Sequence, residues 1–432
     1  MSDNRQGMRF VVSIHYAKMQ EIRSNEHKHP ISFDAIVKRV QEFERDGFDA
    51  VFYADFLGIN RTKLAATPVL PHEPLTFMGA LAASTKRIGL VATASTMFEH
   101  PYNLARQLAS LDHLSGGRIG WNAVTSFNGE KNYGLETIPS PEERYEIAEE
   151  FVDVVSKLWA SWSETAIPSD AEAGRYVDAE QVRDVEHKGK HFAVKEALDI
   201  PRSPQGRPVI FQAGASERGI EFAARYGEAL FVATPDFDAA ADFYSQVKSQ
   251  ARAKGRPDNA LKIFPGVHLF LAETEEEANA LLRGDVSDAD IRKITAKVEY
   301  EFPEFRLSGL PLDEPIPVDR IPTLEAIAQS NRRRSRAQVL WGLATRKGST
   351  LRDFLQYLSN SYGHLVVVGT AETAATQLAE WYTNGAADGF IVLDCNRYDL
   401  LVGSVLPALR DLGLWQPPTA NTLRENLGIA AA

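Results

Sequence analysis

Gly120-Trp121-Asn122-Ala123-Val124-Thr125-Ser126 is the stretch on which the reading of the fold turns. It follows Ser115-Gly116-Gly117-Arg118-Ile119, a turn that leads into a strand. Arg118 to Val124 is then a short β run that ends in a cluster of amide and hydroxyl side chains. In a parallel α/β protein, polar groups at the carboxyl end of a strand face the ligand crevice or barrel mouth. Taken alone, the segment reads first as an ordinary strand end capping the next loop. The chain around it changes that.

Strands alternate with helices on both sides of this run. Strands are expected at residues 9–14, 50–54, 88–94, 119–124, 208–212, 229–233, 263–271 and 389–393. The helices between and after them are expected at 32–46, 74–85, 101–114, 142–162, 216–225, 237–253, 371–384 and 398–412. In the first helix, Phe33, Ile36, Val37, Val40 and Phe43 recur at helical spacing, Ser32 is placed to cap it, and Gly47 stops it. Eight β–α units with short turns predict a closed (β/α)8 TIM barrel rather than an open sheet.

Four segments stand outside the repeat: insertions at about 58–72, 163–206 and 274–369, and a tail at 413–432. The largest insertion follows strand seven. Insertions after strands sit on the catalytic face of a barrel, so the first and third are natural walls or lids. None is low-complexity, and the expectation is one domain over 1–432.

Composition narrows the class. The 432 residues are 44% hydrophobic and 24% charged, as in an ordinary soluble globular protein. A net charge of −11 argues against nucleic acid or an anionic membrane as the main partner. One cysteine, Cys395, leaves no internal disulfide and no cysteine-rich metal site. No run approaches a membrane span and the start is polar, so the expectation is a cytoplasmic enzyme.

Chemistry first surfaces at Gly214-Ala215-Ser216-Glu217-Arg218-Gly219, after strand five and opening a helix. A glycine permitting close backbone approach, followed by a hydroxyl at a helix start, suits a phosphate at the positive end of the helix. An ordinary cap at Ser216 fits equally well. The run is neither a Walker loop nor Gly-x-Gly-x-x-Gly, so a mononucleotide phosphate suits it better than ATP or NAD.

Seven segments in order carry a family resemblance: Tyr53-Ala54-Asp55, Glu99-His100-Pro101-Tyr102, Leu111 to Arg118, Trp121 to Ser126, Glu143-Arg144-Tyr145, Pro201 to Gly206 and Gln212 to Ser216. Together they resemble the bacterial-luciferase-like flavin monooxygenases. The nearest branch is that of nitrilotriacetate, dibenzothiophene-sulfone and long-chain alkane monooxygenases. The tail run Thr422 to Gly428 fits the same branch. The resemblance implies a barrel that binds FMN, reduced to FMNH2 by a separate NAD(P)H-dependent flavin reductase, and oxygenates a small organic substrate with O2. It also implies a homodimer or homotetramer. By position, Asp55 and Thr93 resemble residues lining the flavin ring and ribityl chain, and Ser95 lies where relatives bend the backbone behind the ring. Asn122 and Thr125 fall beside the flavin edge. Tyr145 and Ser216 resemble the phosphate ligands, with Gly214 and Ala215 completing the turn.

The chain also departs from its relatives. Pro141 stands where many have a histidine, Asn60 where the alkane enzyme has a tyrosine, and Phe127 where it has a histidine. No general acid or base is assigned. His15, Asn60, His100 and Phe127 are the candidate pocket residues, with His100 equally a helix cap. His187 and His191 have zinc-like spacing, but Gly189 between them favours a turn and no metal is expected. Arg332-Arg333-Arg334 reads as a solvated face. Two alternatives stay open: an F420-dependent hydride-transfer enzyme of the same superfamily, and a flavin-binding protein without turnover.

Overall fold

The computed structural model describes residues 7–14, 32–59, 72–167, 174, 176–284 and 287–431. Eight parallel strands close on themselves: β1 (Arg9–Ser13), β2 (Ala50–Tyr53), β3 (Gly89–Ser95), β4 (Ile119–Val124), β5 (Val209–Ala213), β6 (Ala229–Val232), β7 (Lys262–Leu271) and β8 (Gly389–Cys395). Neighbours in sequence pair around the ring, and β8 returns to β1 with Phe10 opposite Phe390. The TIM barrel read from the sequence is therefore the fold.

Helices α1 (Phe33–Arg45), α2 (Pro74–Ser84), α3 (Pro101–Ser115), α4 (Pro141–Trp159), α5 (Glu217–Tyr226), α6 (Phe237–Ala253) and α7 (Ala371–Thr383) cover the outside. Their starts follow local chemistry. Ser32 accepts from Ala35 N at 3.2 Å, and Pro74, Pro101 and Pro141 occupy first turns where a missing N–H costs nothing. Gly116 ends α3 in the left-handed region at φ 71°, as a C-cap requires.

Alternation along each strand divides the core. Phe10, Val12, Val51, Trp121, Val267 and Val392 face the helices. Val11, Phe52, Val91, Phe211, Phe264 and Leu393 fill the barrel interior. The tail plugs the amino-terminal end of the barrel, for Leu423, Leu427 and Ile429 join that interior cluster. Gly89 leaves the room: a Cβ there would collide with Leu423 Cδ1 and lie 3.0 Å from Ala50 Cβ. Arg424, 4% exposed, holds the plug by donating to both oxygens of Glu228 at 2.6 and 3.1 Å.

Two expectations need correction. The fourth helix ends at Trp159, and Trp162 instead bridges to Val182 and donates Nε1 to the Leu198 carbonyl at 2.7 Å. The eighth helix is broken into Tyr398–Leu400, a π-turn at Leu401–Val405 and Leu406–Asp411, with Pro407 unable to continue a regular hydrogen-bond ladder. The late insertion adds a strand that the sequence reading did not separate from it. Its helices Glu275–Arg283, Asp288–Glu301, Leu324–Gln329, Arg334–Ala344 and Leu351–Ser361 lead into a ninth parallel strand, Leu365–Gly369, paired with the second half of β7. Val298, Phe302, Phe305, Leu340, Phe354 and Leu358 give that insertion a buried cluster of its own. The middle insertion carries the expected hairpin, His187–Lys188 against Ala193–Val194. No helix of the described residues is long and apolar enough to cross a membrane.

Candidate functional site

The carboxyl ends of the strands gather the residues singled out above into two groups. The first lies where β5 turns into α5. Ser216 caps α5, its hydroxyl accepting from Gly219 N at 3.1 Å. Tyr145, in the first half of α4 and 8% exposed, brings its phenol over this turn. A Cβ at Gly214 would lie 2.8 Å from Gln212 Nε2 and 3.2 Å from Tyr145 Oη, and one at Gly219 would lie 2.9 Å from the same oxygen. Only glycine leaves these approaches open. Burial raises the Tyr145 phenol above its usual range, against a hydrogen bond with Ser216 and the charges of Arg144 and Arg218. Tyr145, Gly214 and Ser216 thus meet at the positive end of α5.

The second group lines β3 and β4. Thr93, 4% exposed, donates to the Tyr53 carbonyl at 2.8 Å and accepts from Asn122 Nδ2 at 2.8 Å. This relay fixes the Asn122 amide and leaves its Oδ1 buried without a partner, as is Gln212 Oε1 on β5. Buried polar atoms of this kind call for a ligand or solvent. Ser95 Oγ and Ser126 Oγ are 2.8 Å apart. Ser126 holds φ 46°, an unusual conformation for a serine, immediately after Thr125. Asp55 accepts from Phe56 N at 2.8 Å. Burial raises its carboxyl, the Phe56 amide opposes this, and the Glu73 charge adds to the rise.

Of the candidate pocket residues, Phe127 sits where β4 leaves the barrel. Its ring meets Phe56 edge-on at 6.1 Å, and the Arg333 guanidinium lies 5.2 Å above it. The basic run is thus not simply a solvated face: Arg333 is half-buried and pairs with Glu301 at 3.3 Å, while Arg334 pairs with Glu142 at 2.7 Å. His100 caps α3, its Nδ1 accepting from Tyr102 N at 3.3 Å. His15 and Asn60 lie outside the described residues. His187 Nε2 donates to Glu150 at 3.0 Å, and Glu150 also accepts from the amides of Lys190, His191 and Phe192, so the cluster anchors the hairpin. Among the described residues, no group of three or more acidic, histidine or cysteine side chains is placed to hold a metal.

Sequence reasoning passed over two residues at the mouth. His268 shares the inward face of β7 with Phe264 and Gly266, and alternation along that strand could have found it. Burial first, then the Arg336 and Lys297 charges, push its imidazole down to about 4, so it is neutral at physiological pH. A β-bulge between Val392 and Asp394 sets Asp394 opposite His268, which no sequence period foretells.

The chain is similar to known proteins along most of its length. The family described as luciferase-like monooxygenase matches residues 8–388. N-acetyl-S-(2-succino)cysteine monooxygenase of Bacillus subtilis (strain 168) is 37% identical over 412 residues, covering 92% of this chain and 90% of that protein. Nitrilotriacetate monooxygenase component A of Aminobacter aminovorans is 35% identical, covering 100% and 98%. The crystal structure of riboflavin lyase with modified FMN and riboflavin superposes with a TM-score of 0.82 at 29% identity, covering 98% of this chain and 96% of that one. With the barrel closed and the match running along its length, the chain belongs to the luciferase-like monooxygenase family.

Proposed function

We propose that this chain is the oxygenase component of a two-component flavin monooxygenase. It takes FMNH2 from a separate NAD(P)H-dependent flavin reductase and uses O2 to oxygenate a small organic substrate at a C–N or C–S centre. The observation that carries the reading is the cradle of Tyr145, Gly214 and Ser216, which matches a monoester phosphate and has too few glycines for a dinucleotide. The substrate class draws on the relatives acting on nitrilotriacetate and N-acetyl-S-(2-succino)cysteine.

Bound reduced FMN supplies the electrons and the activation of O2. The protein's residues do the rest. Tyr145, Ser216 and the amides after Gly214 would hold the phosphate. The buried Asn122 Oδ1, kept in place by Thr93, would accept from the flavin edge, with Asp55, Ser95 and Thr125 along the ring and ribityl chain. Phe56, Phe127 and the insertion residues above them would exclude water, which keeps reduced flavin from wasting electrons. A homodimer or homotetramer in the cytoplasm completes the proposal.

The test is a titration of purified protein with anaerobically reduced FMN, oxidised FMN, NADH and F420, followed by oxygen uptake with a reductase and carboxylated amines and thioethers. Preferential binding of FMNH2 with substrate-dependent oxygen uptake is expected. Preference for F420 would favour hydride transfer, and flavin binding without any uptake would favour a non-catalytic flavoprotein.

A further inference from the structure

Arg333 brings a donor edge of the late insertion to the barrel mouth. Its guanidinium lies 5.2 Å above the Phe127 ring, and Phe127 meets Phe56 edge-on at 6.1 Å. A cation seated on an aromatic face keeps its N–H groups for partners in the guanidinium plane. The contact is pinned beside it. Arg144, 4% exposed, donates to the Ser126 carbonyl and, at 3.2 Å, to the Asn331 carbonyl, which ties the chain just before Phe127 to the chain just before Arg333. Arg333 Nη1 donates to Glu301 at 3.3 Å, a long bond to a carboxylate that also accepts from the Tyr362 hydroxyl at 2.7 Å. Among the described residues Nε and Nη2 of Arg333 have no acceptor, and the side chain is 29% exposed. Its neighbour Arg334 is already matched by Glu142 at 2.7 Å.

The backbone around Arg333 favours the same sign of partner. Helix Arg334–Ala344 begins at Arg333 with no side-chain cap and no acidic residue in its first turn. By contrast α1, α5 and α6 each start with a serine or aspartate cap and an acidic first turn. An uncapped helix start carries a partial positive charge that an anion offsets. Two more cations lie behind it: Lys297 Nζ is 3.2 Å from the centre of the Tyr362 ring, and Arg336 donates to the Tyr362 carbonyl and, at 2.9 Å, to His364 Nε2. A chain of net charge −11 repels anions in general, so a cationic patch at its mouth selects for them locally. We propose that Arg333, seated on Phe127, is a specificity-determining residue that takes a carboxylate of the substrate through its Nε and Nη2 edge. This inference rests on the flavin reading above, which makes the mouth the place of reaction. Nε and one Nη form a fork that matches the two oxygens of a planar carboxylate. The substrate is then a small organic acid, held by its carboxylate beside Phe127.

The experiment titrates thiodiacetate, iminodiacetate, their dimethyl esters and inorganic sulfate into wild type, Arg333→Gln, Arg333→Lys and Arg334→Gln by calorimetry, with and without FMN. Wild type should bind at least one of the two diacids and neither ester. Arg333→Gln should weaken that binding by about tenfold or more, as for a lost charge-assisted fork, and leave FMN affinity unchanged. Arg333→Lys, which keeps the charge and loses the fork, should retain part of the affinity, and Arg334→Gln all of it. Binding of neither diacid to wild type would overturn the proposal. So would equal affinity in wild type and Arg333→Gln, equal binding of acid and ester, or sulfate bound as well as the diacid. A parallel loss of FMN affinity in Arg333→Gln would also overturn it, since the residue would then serve the cofactor. If wild type binds a diacid through Arg333 but no flavin, the cofactor reading fails instead, so the two failures are distinct.

Discussion

Arg424→Met removes the clamp that holds the tail in the bottom of the barrel, and its cost follows from the geometry. Arg424 gives Glu228 two charge-assisted hydrogen bonds, at 2.6 and 3.1 Å, and donates to the carbonyls of Ala430 at 3.0 Å and Arg207 at 3.3 Å. The variant would leave those two carbonyls short of a donor. Glu228 would keep Arg207, at 2.9 and 3.1 Å, and the Ile210 amide at 2.9 Å. Breaking a buried pair from one side costs about 3–5 kcal/mol, and the surviving partners argue for about 3 kcal/mol. Against a total of about 5–15 kcal/mol, that is a large share. The pH dependence has a definite sign. Burial alone would raise the Glu228 carboxyl, but Arg207 and Arg424 outweigh it and hold the group below its usual range. Its contribution is therefore present above the ordinary glutamate range and lost as pH falls through the depressed value. Without Arg424 the depression shrinks, so acid unfolding should begin at higher pH. Urea unfolding followed by tryptophan fluorescence, run at neutral and mildly acidic pH, measures both. A loss under about 1 kcal/mol with an unchanged acid limb would refute the clamp.

Gly214→Ala places a methyl group 2.8 Å from Gln212 Nε2 and 3.2 Å from Tyr145 Oη, so FMN affinity should drop more than tenfold, on the order of a lost charge-assisted contact, while the melting temperature barely moves. Ser216→Ala loses the α5 cap at Gly219 N and should cost about 1 kcal/mol of stability as well as FMN affinity, read by denaturation and flavin titration together. Thr93→Val cuts the Asn122 relay without changing volume much. Turnover with FMNH2 should fall while flavin affinity stays within a few-fold, and unchanged turnover would remove Asn122 from the site. The carboxyl of Glu150 is held down at about 2: burial would raise it, and His187 with the His191 and Phe192 amides prevails. The hairpin should stay protected from exchange until pH falls below the ordinary glutamate range, and Glu150→Gln should show its loosened state at neutral pH.

Much of the architecture was legible because it is local. The apolar runs at 9–14 and 208–212, the caps Ser32 and Ser216 and the stop at Gly47 are set by neighbours within a few residues. Eight repeats of that local pattern leave a closed barrel as the economical arrangement, with Asn122 and Thr93 at strand ends facing its mouth. The glycine turn and helix cap at Gly214 to Ser216 were visible for the same reason. What the sequence by itself determined, then, is the barrel, its strand ends and the residue types at the cradle.

Tertiary structure decided the rest, because it depends on contacts between distant segments. Gly89 has no sequence mark tying it to Leu423, yet the tail enters the barrel only because that position lacks a Cβ. Arg333 looks solvated in its basic run until the fold lays it over Phe127, about 200 residues away by the spacing of their numbers. The bulge that brings Asp394 opposite His268 shifts the register by one residue, which a period-two pattern cannot encode. Arg144 is the clearest case. In the sequence it is one more charged helix residue beside Tyr145, and its burial against the Ser126 and Asn331 carbonyls shows only once α4, the β4 loop and the late insertion converge on its guanidinium.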